Sequence, residues 1–249
     1  MPYDTRWITD RTPSVPCTAE AMPDPVLPPR LSRRLDRENE WVVIPARRGS
    51  RGVVDKNVRP LGSMSLLDRA ANVALQLGHR AIITTDYPPD HEYVRHQAHW
   101  CHPRPPHLAT DTTPIWAVLS HLYAELHWHD NDMIVLLQPT SLHPTRAEVV
   151  RAMLNSGAVP SCTVDRYPDR WHPWYAQDAQ QPHQPPACRQ GLPPRFRPNG
   201  LVYLLSGATA RRESFWADHP TFYEMAPGSV LNIDTPDDWA EAERLYGHL

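Results

Sequence analysis

Lysine is almost missing from this chain: 24 of its 25 basic residues are arginine, and the one lysine is Lys56. Where a bias towards arginine has reached every other basic position, a retained lysine suggests a site that needs a compact, mobile ammonium, and phosphate handling is such a need. Glycine is scarce too, 10 residues against 29 prolines, so any glycine in a loop carries weight. The four cysteines, Cys17, Cys101, Cys162 and Cys188, form no CxxC pair. That spacing argues against a zinc knuckle and a disulfide framework and fits reduced thiols in the cytoplasm. No apolar run approaches the length of a bilayer span, and the N-terminal stretch lacks the sustained apolar core of a signal peptide. A formal charge of −3, with no interleaving of aromatic and basic residues, argues against a nucleic-acid partner. The GxGxxG fingerprint is absent, which disfavours an α/β dehydrogenase. The 14 histidines include Cys101-His102 and His127-Trp-His129. Neither has two ligand pairs at site-forming spacing, so they read as surface or satisfied-core histidines.

Residues 1–39 hold six prolines between Pro13 and Pro29, then Arg30, Arg33, Arg34 and Arg37. Such a segment buries little and is expected to be a partly disordered extension. Residues 40–249 read as one domain in which strand and helix signals alternate. Strands are expected at about 41–45, 81–85, 133–137, 158–164, 200–205, 221–225 and 230–233, and helices at about 65–77, 113–127, 145–155 and 236–247. That alternation predicts an α/β fold, a mostly parallel sheet with helices on both faces. Residues 165–198 break the pattern with tryptophan, proline, glutamine and histidine. A loop this long inside a compact domain is usually functional or an interaction arm.

Trp41-Val-Val-Ile44 is a short β-branched run stopped by Pro45, so residues 47–59 form a loop at the carboxyl end of a buried strand, where open α/β sheets bind ligands. The loop carries Arg47, Arg48, Arg51, Lys56 and Arg59 against one acid, Asp55. A charge run alone is usually a solvated face. Gly49, Gly52, Ser50 and the sole lysine favour an anion site in which backbone amides approach the ligand closely.

Ile44-Pro-Ala-Arg-Arg-Gly-Ser-Arg-Gly-Val-Val-Asp-Lys-Asn57 resembles the signature loop of the acylneuraminate cytidylyltransferases, enzymes that activate sialic acid and related acidic sugars as CMP conjugates. Five further segments follow in the same order: Ile83-Thr-Thr-Asp86, Arg104-Pro-Pro-His-Leu-Ala-Thr-Asp111, Leu136-Leu-Gln-Pro-Thr-Ser141, Arg189-Gln190 with Phe196 to Tyr203, and Ile233-Asp-Thr-Pro-Asp-Asp238. Six ordered segments are far more specific than one glycine-containing loop. The resemblance implies a Rossmann-like nucleotidyltransferase sheet, CTP as co-substrate with Mg2+, a small acidic acceptor, and a homodimer with the 165–198 arm covering the acceptor or making the dimer contact.

Residue by residue, the resemblance implies that Arg47, Lys56 and Asp234 are catalytic. The nucleotide would be held by Ala46, Arg47, Gly49, Ser50, Arg51, Lys56, Asn57, Thr85, Arg104 and Gln138, with Asn57 reading the base edge. Gln138, Arg189, Asn199 and Tyr203 would hold the acceptor, Arg189 through its carboxylate. Asp234 and Asn232 would hold the metal, with Asp86 and Asp111 in reserve. Taken without the resemblance, several of these have plainer readings. Asp234-Thr-Pro-Asp is helix-start chemistry, Asn199-Gly200 is a hairpin-turn signal, Gln138 could cap a strand and Tyr203 could be core.

Three departures stand out. Asn232-Ile-Asp234 replaces the family's Asp-x-Asp, arginine stands at 51 where lysine is usual, and Trp174-Tyr175 replaces the basic residue after His172-Pro173 in a shortened stretch. The last predicts an acceptor other than ordinary sialic acid: another nonulosonic acid, or a phosphonate or other acidic intermediate of a specialised pathway. A catalytically weakened nucleotide-binding relative is the competing reading.

Overall fold

The structure, a computed structural model, describes residues 15–16, 39–50, 52–79, 81–88, 100–166 and 196–248. Arg51, Arg189, Trp174 and Tyr175, nearly all of the N-terminal extension and most of the 165–198 arm lie outside these residues.

In chain order the elements are β1 (Val15–Pro16), β2 (Glu40–Pro45), β3 (Pro60–Leu61), β4 (Met64–Ser65), α1 (Leu66–Gln76), β5 (Ala81–Thr85), β6 (Trp100–Pro103) and a 3-10 turn (Pro106–Leu108). Then come α2 (Ile115–Glu125), β7 (Met133–Leu136), β8 (Ser141–Leu142), α3 (Arg146–Ser156), β9 (Ser161–Arg166) and β10 (Phe196–Ser206). The chain closes with α4 (Gly207–Arg212), β11 (Thr221–Met225), β12 (Leu231–Asn232) and α5 (Pro236–Tyr246). The main sheet runs β1-β11-β9-β10-β7-β2-β5-β6. Only β10 is antiparallel to its neighbours, β7 and β9; β7, β2, β5 and β6 pair in parallel.

The apolar run of β2 explains its central place. Val42, Val43 and Ile44 are all at most 1% exposed, which requires cover on both faces of the sheet. Val42 and Ile44 pack with α1 and α3 residues such as Leu67, Ala70 and Val150. Val43 packs on the other face with Leu119 and Leu122 of α2 and Ala210 of α4. The expected α/β architecture with helices on both faces is therefore what forms.

The helix ends follow local chemistry. A capping box joins Ser65 and Asp68 at the start of α1, and another joins Thr235 and Asp238 at α5, with Pro236 in its first turn; Ser and Thr supply the acceptor that the first free amides need. Gly157, at φ 68°, ends α3.

From β2 the chain steps outward to β5 and β6, then returns to β7 on the other side of β2. The carboxyl ends of β2 and β7 therefore flank the point where strand order reverses, the place where open α/β sheets form a ligand crevice.

Candidate active site

The loop after β2 is held by its neighbours. Ala46 donates its amide to Thr84 O at 3.0 Å, and Thr85 donates its hydroxyl to Ala46 O at 2.6 Å while accepting from the Tyr87 amide. The Asn57 Nδ2 donates to Arg47 O at 3.0 Å, closing the loop on itself. Its far end is anchored by apolar burial: Val53 and Leu61 pack with Leu66, Leu142, Ile233 and Trp239. Each side chain buried fully in that cluster contributes about 1.5–3 kcal/mol. Gly52 fits against this second wall so closely that a Cβ there would lie 1.7 Å from the Asp234 carbonyl oxygen.

Between loop and sheet lies a cleft of about 430 Å³ whose lining includes Arg47, Ser50, Gly52, Lys56, Asn57, Arg104, Asp111, Gln138, Thr140 and Asp234. Lys56 donates to Ile233 O at 2.6 Å and to Asp234 Oδ1 at 2.9 Å. Arg47 pairs with Asp111 at 2.5 Å. Arg104 is 7% exposed and donates to Thr84 O at 2.8 Å; burial pulls its guanidinium down to about 10, Asp86 working against that and Arg47 with it. Three cations face two carboxylates in the cleft, which leaves its balance positive in a chain of net charge −3.

A second chamber of about 300 Å³ adjoins the first and is lined by Gln138, Thr140, Arg197, Pro198, Asn199, Gly200, Tyr203, Asn232 and Asp234. Gln138, Thr140 and Asp234 line both chambers. Gly200, at φ 76°, is the contact that lets them meet: a Cβ there would come within 2.5 Å of Gln138 Oε1. Beneath the shared wall lies Arg146, 4% exposed, donating to Ser141 O and Gln138 O at 3.0 Å each and to Leu201 O. Burial pulls its guanidinium down to about 9.

Several expected residues take other work. The hydroxyl of Thr85 and both backbone polar groups of Ala46 are used within the loop anchor, so neither residue faces the cleft. Gly49 supplies a φ of 75° with open space at its Cβ position; Gly52 lines the cleft and also packs against the Asp234 backbone. The guanidinium of Arg59 sits 4.6 Å over the Trp239 ring, away from the cleft.

Asn199-Gly200 is not a hairpin turn. It lies within β10 where pairing with β9 shifts register, and Asn199, 2% exposed, spends its amide there: Oδ1 accepts from Thr163 and from the Leu201 amide, and Nδ2 donates to Asp165. These bonds fix its orientation where it lines the second chamber. Asn232 Oδ1 accepts from Ser141 at 2.7 Å, which uses one of its two lone pairs, and the residue lines the second chamber beside Asp234. Asp86 accepts from the Arg48 amide at 2.6 Å and so holds the loop.

Two side chains that matter were not singled out by sequence. Arg197 lines the second chamber; its place inside the Phe196 to Tyr203 segment was the available signal. Arg146 carried none, since an arginine at a helix start looks like any surface cation.

A family model described as cytidylyltransferase matches residues 41–165. The chain belongs to the cytidylyltransferase family. Among curated relatives, an N-acylneuraminate cytidylyltransferase of Streptococcus agalactiae is 28% identical over 225 residues, covering 83% of this chain and 52% of the relative. A CMP-N,N'-diacetyllegionaminic acid synthase of Legionella pneumophila is 28% identical over 222 residues, covering 82% and 94%. The chain thus spans about half the length of the streptococcal relative. Among solved structures, a CMP:2-keto-3-deoxy-manno-octonic acid synthetase complexed with CTP superposes with TM-score 0.59 at 16% identity, covering 83% of this chain and 98% of that one. A 4-diphosphocytidyl-2C-methyl-D-erythritol synthase does so with TM-score 0.55 at 13% identity, covering 83% and 97%. At these identities the superpositions show a shared Rossmann-like nucleotidyltransferase fold.

Proposed function

We propose that this family member transfers CMP from CTP to an acidic sugar, with the larger chamber holding CTP and the smaller one the acceptor. The observation that carries the reading is the shared wall: Gln138, Thr140 and Asp234 face both chambers, so two substrates bound side by side would meet there. In the reaction an acceptor hydroxyl oxygen forms a bond to the α-phosphorus, the bond from that phosphorus to the α–β bridging oxygen breaks, and pyrophosphate leaves. Negative charge builds on the leaving oxygens, so the protein's task is positioning and charge neutralisation.

Lys56, Arg47 and Arg104 would hold the triphosphate, and all three line the larger chamber. Lys56 and Arg47 are each paired with a cleft carboxylate, Asp234 and Asp111, which pre-orients them at the cost of local charge. Asn57 supports base reading. Its Nδ2 is committed to Arg47 O, while its buried Oδ1 has no hydrogen-bond partner. An unpaired buried acceptor fits the amino group of cytosine and opposes the carbonyl that uracil presents there.

Asp234 fits the demands of Mg2+: its side chain is 78% exposed and it lines both chambers, and magnesium takes one or two carboxylates together with phosphate oxygens and waters. When bound, the ion would neutralise charge on the phosphate oxygens. Asn232 would add a neutral ligand through its carbonyl oxygen, which Ser141 holds in place by one hydrogen bond.

On the acceptor side Arg197, Tyr203 and Gln138 line the chamber, and Arg189 is proposed from the family resemblance to pair with the carboxylate. A nonulosonic acid other than ordinary sialic acid is the acceptor we favour, on the change at Trp174-Tyr175. The alternative, a nucleotide-binding relative without turnover, draws on the loss of a second family aspartate at Asn232.

Pyrophosphate release tests the proposal, with four nucleoside triphosphates crossed against sugar acids and phosphonates. Release that needs both CTP and one acid class supports it; CTP binding without release from any acid supports the binder. Replacing Asn57 by leucine should narrow the preference for CTP over UTP about 10-fold or more, since one hydrogen bond then no longer separates the bases.

A further inference from the structure

Away from the cleft, the far end of α2 meets β6. His121 and Glu125, four residues apart on α2, face His102 of β6. The Nε2 atoms of His102 and His121 lie 3.0 Å and 2.8 Å from the same oxygen, Glu125 Oε2. All three donor atoms lie within 4.8 Å of one another, and no other set of three His, Cys, Asp or Glu donors gathers in this way among the described residues. We propose that these three side chains form a binding site for a divalent transition cation of the zinc type, one that clips α2 to β6.

The donor set matches that class of ion. Two imidazoles and one carboxylate suit zinc and its neighbours, whereas magnesium prefers an all-oxygen shell. Tetrahedral bonds of about 2.0–2.1 Å hold ligand atoms about 3.3 Å apart, so the two His–Glu separations of 3.0 Å and 2.8 Å need only a few tenths of an ångström of widening, and the two ring nitrogens already lie within 4.8 Å of each other. The hydrogen-bond inventory points the same way. His102 is 6% exposed, and neither its Nε2 nor that of His121 has a hydrogen-bond partner despite the short distances to Oε2. Both ring nitrogens converge on one carboxylate oxygen, so the three donors already share a centre.

Outer contacts fix the rings. His102 Nδ1 lies 3.3 Å from Thr84 Oγ1; with the proton on Nδ1, this leaves the Nε2 lone pair for a metal, the usual way a ligating histidine is oriented. The side chains of His121 and Glu125 are 30% and 47% exposed, which leaves a route for the ion and a water in the fourth position. The same Thr84 takes Arg104 through its backbone oxygen, and Ile115 and Val118 at the near end of α2 line the cleft. At 1.5 Å rise per residue, Glu125 lies about 15 Å along the helix from Ile115, so the cation would brace the cleft wall without touching substrate. It is distinct from the magnesium proposed at Asp234.

The test uses the full chain, stripped with a chelator and dialysed. Zn2+ is titrated by calorimetry and Co2+ by visible absorption, with millimolar Mg2+ present throughout. One equivalent of tight zinc binding and a tetrahedral cobalt spectrum are expected. His121→Gln and Glu125→Gln, at partly exposed positions that leave the fold intact by circular dichroism, should each weaken binding at least about 100-fold, since loss of an outer contact alone costs 10–100-fold. Zinc should also raise the melting temperature of the wild type and not of the variants. The proposal is overturned if the stripped wild type takes up no zinc, which would leave a His-Glu-His ion cluster. It is equally overturned if both variants bind as tightly as the wild type.

Discussion

Replacing Gly52 by alanine places a methyl group 1.7 Å from the Asp234 carbonyl oxygen, where real Cβ atoms stay beyond 3.0 Å. Something must therefore move by about 1.3 Å, and because the obstacle is backbone, no side-chain rotation relieves it. The loop or residues 233–235 must shift. Either movement pulls Lys56 from Ile233 O and Asp234, its partners at 2.6 Å and 2.9 Å. Overpacking of this kind costs about 1–3 kcal/mol, or a fall in melting temperature of about 2–10 °C for a chain of this size. Displacing a positioning group by about 1 Å costs about 100-fold in turnover. Gly157→Ala is the control: its φ is positive, at 68°, but its Cβ position is open, so only about 1–2 kcal/mol of backbone strain applies and turnover is unchanged. Thermal unfolding and pyrophosphate release measure both quantities. Wild-type stability and turnover in Gly52→Ala would refute the argument that this glycine sets the distance between loop and Asp234.

Lys56→Met should lower turnover about 100- to 1,000-fold, the scale of losing one preorganised charge-stabilising group, read as initial rates of pyrophosphate release at saturating CTP. Arg197→Gln should raise KM for the acid at least several-fold and leave KM for CTP unchanged, which steady-state kinetics with each substrate varied in turn will separate. Arg146→Met leaves the carbonyls of Gln138, Ser141 and Leu201 without their donor and should cost about 1–3 kcal/mol in denaturant unfolding, with turnover falling as Gln138 loses its support.

Periodicity made the layers legible. Val42, Val43 and Ile44 announced a buried strand, and the alternation of strand and helix signals placed a helix at about 113–127, whose Leu119 and Leu122 cover one of the strand's faces. The helix start at Thr235 and Pro236 followed from the sequence, because caps are local chemistry. What failed to show was whatever depends on partners distant in sequence. Asn199-Gly200 has the composition of a turn, and only pairing with Thr163 and Asp165 makes it an irregularity inside β10. Arg59 and Lys56 belong to one basic run, yet Trp239 claims the first and the cleft the second. Gly52 was legible as special, but its contact with Asp234, some 180 residues away, was not. His102 and His121 looked like isolated histidines until β6 and α2 brought them together.

The central claim is that the positive cleft beside Gln138 and Asp234 binds CTP and hands CMP to an acid next door. Pyrophosphate release in the presence of CTP, Mg2+ and a panel of nonulosonic acids measures it most directly. The account predicts release that stops when either CTP or the acid is left out, and that falls to background in Lys56→Met. Release with no acid of the panel, or at equal rates from ATP, would contradict it.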